Sequence, residues 1–209
     1  MPAAIILFGD VIRSRRDAVA ATAWLRVLCA DLTEAYPAGA LLAPFEFTQG
    51  DELQGLLAPT ADPMTAILRA GLHPEGVKMR WVVVAGEVDP GHGPATQRSG
   101  PAFIAARERL AMAAARRERL AVVSGDPETD DLLDGLAPLL GELLAELTKR
   151  QREIAWPIIV DGLRRSEAAE QLHVSRATIS VAADRAHLRG LGELSRVVRT
   201  LLQRATMGA

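Results

Sequence analysis

Residues 147–180, LTKRQREIAWPIIVDGLRRSEAAEQLHVSRATIS, decide the architecture of the last third of the chain. Thr148 is a natural N-cap, and Gln151, three residues on, can return a hydrogen bond to the cap backbone, so a helix is predicted to start here. Ile154, Ala155, Ile158 and Ile159 then share one face. Ser166 offers a second cap, and Ala168, Ala169 and Leu172 supply the small and apolar side chains of a short helix that packs closely on its neighbours. His173-Val174 is the turn. Ser175 caps a third helix over 176–186, with Ile179, Ala182 and Ala183 toward the core and Arg176, Ala177, Ser180 and Arg185 outside. Each signal alone is common in helical proteins; their order and spacing together predict a helix-turn-helix, against the alternative of a small bundle that never meets DNA.

The pattern LTxRQxxIA followed by GxxxxEAAxxLxVSRATIS resembles the helix-turn-helix of sigma-factor-like and response-regulator output domains. The resemblance implies double-stranded DNA as a partner. Ser175, Arg176, Ala177, Ser180 and Arg185 would then lie on the helix that enters the major groove, with Arg164 and Arg165 at backbone phosphates. Charge divides the same way. From Lys149 onward eleven basic residues face six acidic ones, a net of +5, and since the whole chain is −2 the part before Lys149 carries −7. A basic tail on an acidic body suits a polyanion at one end only.

With 209 residues and 49% hydrophobic content, the chain has material for two modest domains and none of the charge excess that marks disorder. Cys29, the single cysteine, has no partner for an internal disulfide, which fits a reducing cytoplasm. The apolar run over 3–8 is broken by Gly9-Asp10 and is too short for a signal-peptide core or a membrane span. A mature, soluble, cytoplasmic protein beginning at Met1 and avoiding membranes is the expectation.

The body alternates strands and helices. A near-continuous apolar strand over 3–11, of the kind buried on both faces, precedes a helix over 17–36 that Pro37 ends. Strands over 45–48 and 53–57 flank the tight turn Gln49-Gly50-Asp51-Glu52, where Gly50 can take a positive φ. Asp62-Pro63 opens a helix running to about Gly71; a strand over 78–87, a helix over 101–115 and a short strand over 120–124 follow. The order β-α-β-β-α-β predicts an α+β protein: a ferredoxin-like, palm-related sheet domain over 1–126, a leucine-rich connecting helix over 127–147, and an all-α helix-turn-helix domain over 148–209.

Fold alone does not assign chemistry, so the acids matter. Asp10 ends the first strand, and Asp51 with Glu52 sits in the hairpin that such a sheet brings beside it. Carboxylates held there suit Mg²⁺, and two such ions support nucleotidyl transfer. Arg13, Arg15 and Arg16 follow closely and can reach phosphate oxygens. The plainer alternative has Asp10 bracing a loop, Gly-Asp forming an ordinary turn, and the arginines lying in solvent. His73, His92, His173 and His187 have no metal-ligand spacing.

LFGDVIRSRR, FTQGDELQGLL and RWVVVAGEV followed by SGPAFIAARERL together resemble the SatD family, whose members begin with a GDIxxSR-like strand and carry a GDExQGLL hairpin. A more distant likeness is to class III nucleotidyl cyclases and related palm domains. It implies metal binding at Asp10 and Asp51 and a phosphate-binding role for Arg107 on the helix over 101–115. Phe103 stands where those cyclases have asparagine, and Phe47 where they have the base-reading lysine. These departures weigh against cyclase activity while leaving metal and triphosphate binding open.

Leucines 133, 136, 140, 143, 144 and 147 form a nearly heptad stripe, and Leu191, Leu194, Val197, Val198, Leu201 and Leu202 repeat the theme. Either can build a homodimer; the duller alternative packs the first on the sheet and the second on the helix-turn-helix. The Gly- and Pro-rich segment over 88–99 is either a lid or a long connection. Function divides accordingly: a DNA-binding regulator whose body takes a metal-nucleotide ligand, a Mg-dependent nucleotidyl transferase or cyclase-like enzyme, or a non-catalytic dimerising adaptor.

Overall fold

Strand β1 (Ala3–Val11) occupies the middle of a five-stranded mixed sheet, which accounts for the apolar run over 3–8. In this computed structural model, residues 3–12, 18–48 and 51–208 are described. The chain is α+β. After β1 come α1 (Ala18–Ala35), β2 (Leu41–Phe47), β3 (Glu52–Leu57), α2 (Met64–Leu72), β4 (Met79–Glu87), α3 (Pro101–Arg116), β5 (Leu120–Val123) and α4 (Pro127–Glu146). Helices α5 (Lys149–Ala155), α6 (Arg165–Gln171), α7 (Arg176–Arg185) and α8 (Leu188–Gly208) complete it.

The strands run in the order β2-β3-β1-β4-β5, with β1 antiparallel to both neighbours and β5 parallel to β4. Alternation sends Ile5 and Leu7 to one face and Ala4, Ile6 and Phe8 to the other, and all five are buried. The first face packs on α1, α2 and α4 through residues such as Leu25, Leu28, Ile67 and Leu140. The second packs on α3 through Ala102, Phe103, Ala106 and Ala113. β2 begins four residues earlier than expected, because Leu41 and Ala43 already pair with β3 across register shifts around Pro44. Gly50, the expected positive-φ residue of the hairpin, lies outside the described residues.

Helix α4 is capped by Asp126, whose carboxylate accepts from Thr129 N, and it carries Pro127 in its first turn. A Cβ on Gly141 would stand 2.7 Å from Leu120 N, so the glycine is what lets α4 lie close to β5. Leu133, Leu140 and Leu144 are buried within the chain, as are Leu191, Val198 and Leu202 of α8, which packs on α4. Arg199 of α8 also pairs with Asp62 at the start of α2, 2.7 Å apart. One buried cluster therefore runs from Ile5 and Leu7 through α4 to Ala155, Ala183 and Leu202, crossing the boundaries expected near residues 126 and 147. Among the described residues, no helix is long and apolar enough to cross a membrane.

Candidate nucleic-acid interface and carboxylate cluster

Thr148 and Gln151 form the expected reciprocal cap at the start of α5. The α-helix stops at Ala155, and Trp156–Val160 form a wider π turn in which Asp161 N donates to Trp156 O at 3.2 Å. Pro157 supplies the cause: it has no N–H for the ladder, and its ring clashes with the carbonyl four residues back. The expected cap at Ser166 is corrected. Arg164 is the N-cap of α6, and Glu167 ties it down by accepting from Arg164 N at 2.8 Å and from the Arg164 guanidinium. A carboxylate at N3 reaching back to the cap amide replaces a capping hydroxyl.

His173 takes φ 53° in the turn, and Val174 N closes on Ala169 O at 3.0 Å. Ser175 then caps α7, its hydroxyl accepting from Thr178 N at 3.0 Å. Ile154, Ala169 and Ile179 form a small core that fixes α5, α6 and α7 to one another. Arg176, Ala177 and Arg185 are exposed, and Ser180 is half-buried beside them. Arg176 forms no ion pair among the described residues, whereas Arg165 is tied to Asp184 of α7 at 3.3 Å.

The unit is docked on the body through the loop after α2. Arg152 donates to Gly76 O at 3.0 Å, and Lys149 pairs with Glu75. Arg69, held by Asp31, lies against the Trp156 ring. Helices α2 and α5 and the π turn are thus joined by both apolar and charged contacts.

The register brings the acids together. Asp10 faces Glu52 across β1–β3, and Val11 N donates to Asp51 O at 3.1 Å. Burial pushes the Asp10 carboxyl above its ordinary value, Asp51 and Glu52 push it further, and Arg80 pulls it back. Arg80 is the cross-strand partner of Asp10 on β4; its Nη1 donates to Asp10 Oδ2 at 2.8 Å while its Nε donates to Glu118 O at 3.2 Å. Glu52 Oε1 accepts from Gln54 at 2.6 Å. With Asp10 on a guanidinium and Glu52 on an amide, the carboxylates face protein donors. Among the described residues, no three His, Cys, Asp or Glu side chains are grouped to hold a metal ion. Asp10 Oδ2 and Glu52 Oε1 thus each have a protein donor, Arg80 and Gln54.

Arg107 is exposed on α3 and is not among the described charges acting on Asp10; Arg13 and Arg15 lie outside the described residues. The arginine of α3 that the fold does use is Arg109, buried and bonded to Glu118 at 2.7 Å and Asp134 at 3.2 Å. Its place in the stripe Ala102, Ala106, Arg109, Ala113 is the signal that marks it. A cleft of about 450 Å³, lined by Ile12, Lys78, Arg80, Arg117 and Arg119, adjoins the Asp10–Arg80 pair. No spacing in the sequence announces it, because its residues come from three separate segments. The 88–99 segment is pinned: Ala95 is buried, Asp89 N donates to Ser99 O at 3.0 Å, and Thr96 bonds Glu46.

No protein-family model matches the chain, and no curated protein matches it either.

Proposed function

We propose that the chain is a DNA-binding transcriptional regulator, with a SatD-like, palm-related body and a helix-turn-helix that docks on duplex DNA as a homodimer. The carrying observation is α7: Ser175 caps it, Ile179 and Ala183 anchor it, and Arg176, Ala177 and Ser180 form its outward edge. A capped N-terminus with an unpaired arginine in its first turn suits a helix that enters the major groove. The order β2-β3-β1-β4, with β1 antiparallel on both sides, supports a palm-like body.

Binding of the full-length chain to a pool of duplexes, measured across salt concentrations, tests this. Arg176→Ala is expected to relax base preference and cost on the order of 1–3 kcal/mol at a guanine edge. Arg164→Ala and Arg165→Ala are expected to weaken binding to all sequences and flatten the salt dependence. A full-length chain with no salt-sensitive binding to any duplex removes the proposal. The second reading, a metal-dependent nucleotidyl transferase or cyclase-like enzyme, has the convergence of Asp10, Asp51 and Glu52 in its favour and the Asp10–Arg80 pair against it. Turnover of nucleoside triphosphates with Mg²⁺ by the purified chain decides it.

A further inference from the structure

We propose that the cleft lined by Lys78, Arg80, Arg117 and Arg119 binds a small polyphosphate-bearing anion of the nucleoside di- or triphosphate class, without a metal ion. This rests on the reading of the body as a ligand-sensing part and not on DNA binding by α7.

The cations converge from three elements. Lys78 and Arg80 flank the start of β4, Arg117 ends α3 in a left-handed conformation with φ 61°, and Arg119 leads into β5. Among the described residues, Arg80 is paired with Asp10, and the other cations have weak or no countercharges. Glu118 stands between Arg117 and Arg119 in sequence, yet its carboxylate is taken by Arg109 at 2.7 Å and Arg116 at 3.6 Å. Arg119 has its nearest acid, the half-exposed Glu142, at 3.8 Å, and its Nε is buried without a hydrogen-bond partner. Lys78 and Arg117 form no ion pair among the described residues.

Like charges crowded at the mouth of one cleft repel, and a ligand that neutralises them is bound for that reason. A lone phosphate group carries roughly two negative charges, which Lys78 and Arg117 alone would match; with Arg119 held only at 3.8 Å by Glu142 and Arg80 beside them, two or more linked phosphates match better. The volume of about 450 Å³ leaves room for more than the phosphates. Small-ligand sites commonly span roughly 300–1,000 Å³. Arg80 already supplies Asp10 with a positive partner, which is the role a metal ion would have taken. Gly76, two residues before Lys78, is held by Arg152 of α5, and Lys78, Arg119 and Arg152 also line a small pocket with residues of α2 and α4. The cleft therefore adjoins the seam that carries the helix-turn-helix.

The test titrates the full-length chain with pyrophosphate, tripolyphosphate and ATP, in EDTA and again in excess Mg²⁺, by calorimetry and thermal melting. Each ligand is expected to bind and raise Tm in EDTA. The double variant Lys78→Ala/Arg117→Ala should lose about tenfold or more in affinity, with its circular dichroism and unliganded Tm retained. Arg117→Lys, which keeps the charge, should bind nearly as wild type. The proposal is overturned by no binding of any of the three, by equal binding in wild type and double variant, or by binding only with Mg²⁺. It is overturned too if the double variant loses affinity for duplex DNA while the wild type ignores all three polyphosphates, which would make the cleft a contact for the DNA backbone. Arg176→Ala probes α7 separately, so either proposal can fail while the other stands.

Discussion

The imidazole of His73 stands edge-on to the indole of Trp156, with ring centroids 5.3 Å apart and planes at 84°. Trp24 of α1 closes on the other side of the imidazole at 4.7 Å, and the Arg69 guanidinium lies 5.2 Å over the Trp156 ring. His73 thus sits in the seam between the body and the π turn, where its Nδ1 accepts from Glu75 N at 3.1 Å. That bond needs an unprotonated nitrogen.

Burial holds the His73 pKa below its ordinary value of 6.5; Asp31 and Glu75 act against this, and Arg152 and Arg69 add to it. The unfolded chain therefore takes up a proton before the native chain does. Stability is complete above the unfolded value and falls as pH drops through the lowered native one. Thermal melts across this range should show a loss of Tm on acidification that His73→Gln reduces. Superimposable pH profiles for wild type and variant would refute this role.

Asp10 titrates with the opposite sense. Its pKa is raised, first by burial and then by Asp51, so the native chain binds a proton more readily than the unfolded one. Stability then declines as pH climbs from the ordinary value of 3.8 through the raised one. Asp10→Asn should be at least as stable as wild type at about pH 7 and lose that advantage in acid. Urea unfolding at both pH values checks it; a variant weaker by about 1 kcal/mol or more at neutral pH would mean that the Arg80 pair outweighs the repulsion.

Gly55 lies under Phe45, so close that a Cβ there would stand 2.3 Å from Phe45 Cε1. The ring is backed by Tyr36, stacked at 6.0 Å and 23°, and has little room to retreat. Gly55→Ala should cost about 1–3 kcal/mol by overpacking. Phe45→Leu in the same chain should recover part of that loss, and strict additivity of the two changes would count against the contact as the cause.

Leu132 and Leu139 of α4 remain 55% and 53% exposed, and with half-buried Leu136 and Leu143 they make a single outward stripe. A homodimer formed there would cover that apolar surface. Leu132→Glu/Leu139→Glu should then halve the mass seen by light scattering while leaving circular dichroism unchanged. A wild-type chain that is monomeric both free and on DNA ends the idea.

Periodicity made most elements legible: the apolar run through Ile5, Ile6 and Leu7 marked a central strand, and Trp24, Leu28 and Leu32 marked a buried helix face, although the same reading turned Val19 and Val27 inward, which are 82% and 55% exposed, and passed over the buried Leu25. Pro44 hid the first half of β2, since a proline in a strand argues against pairing until the register shift beside it is known. Pro157 was passed over in placing Ile158 and Ile159 on one face with Ile154 and Ala155, and it is there that the α-helix gives way to the π turn. Asp10 and Glu52 were visible as candidates, but Arg80 was masked by its apolar neighbours Met79 and Trp81. Only the β1–β4 register places Arg80 opposite Asp10. Lys78, Arg117 and Arg119 belong to segments that meet in three dimensions, a relation linear spacing does not encode.

Helix α8 seals α4 with Leu191, Val198 and Leu202, although α4 ends at Glu146 and α8 begins only at Leu188. During synthesis the sheet and α4 must therefore emerge from the ribosome with an apolar face still open, for as long as α8 is untranslated. Native packing of the body awaits the very segment that follows α7, so a nascent chain stalled before Leu188 would present that uncovered face to chaperones.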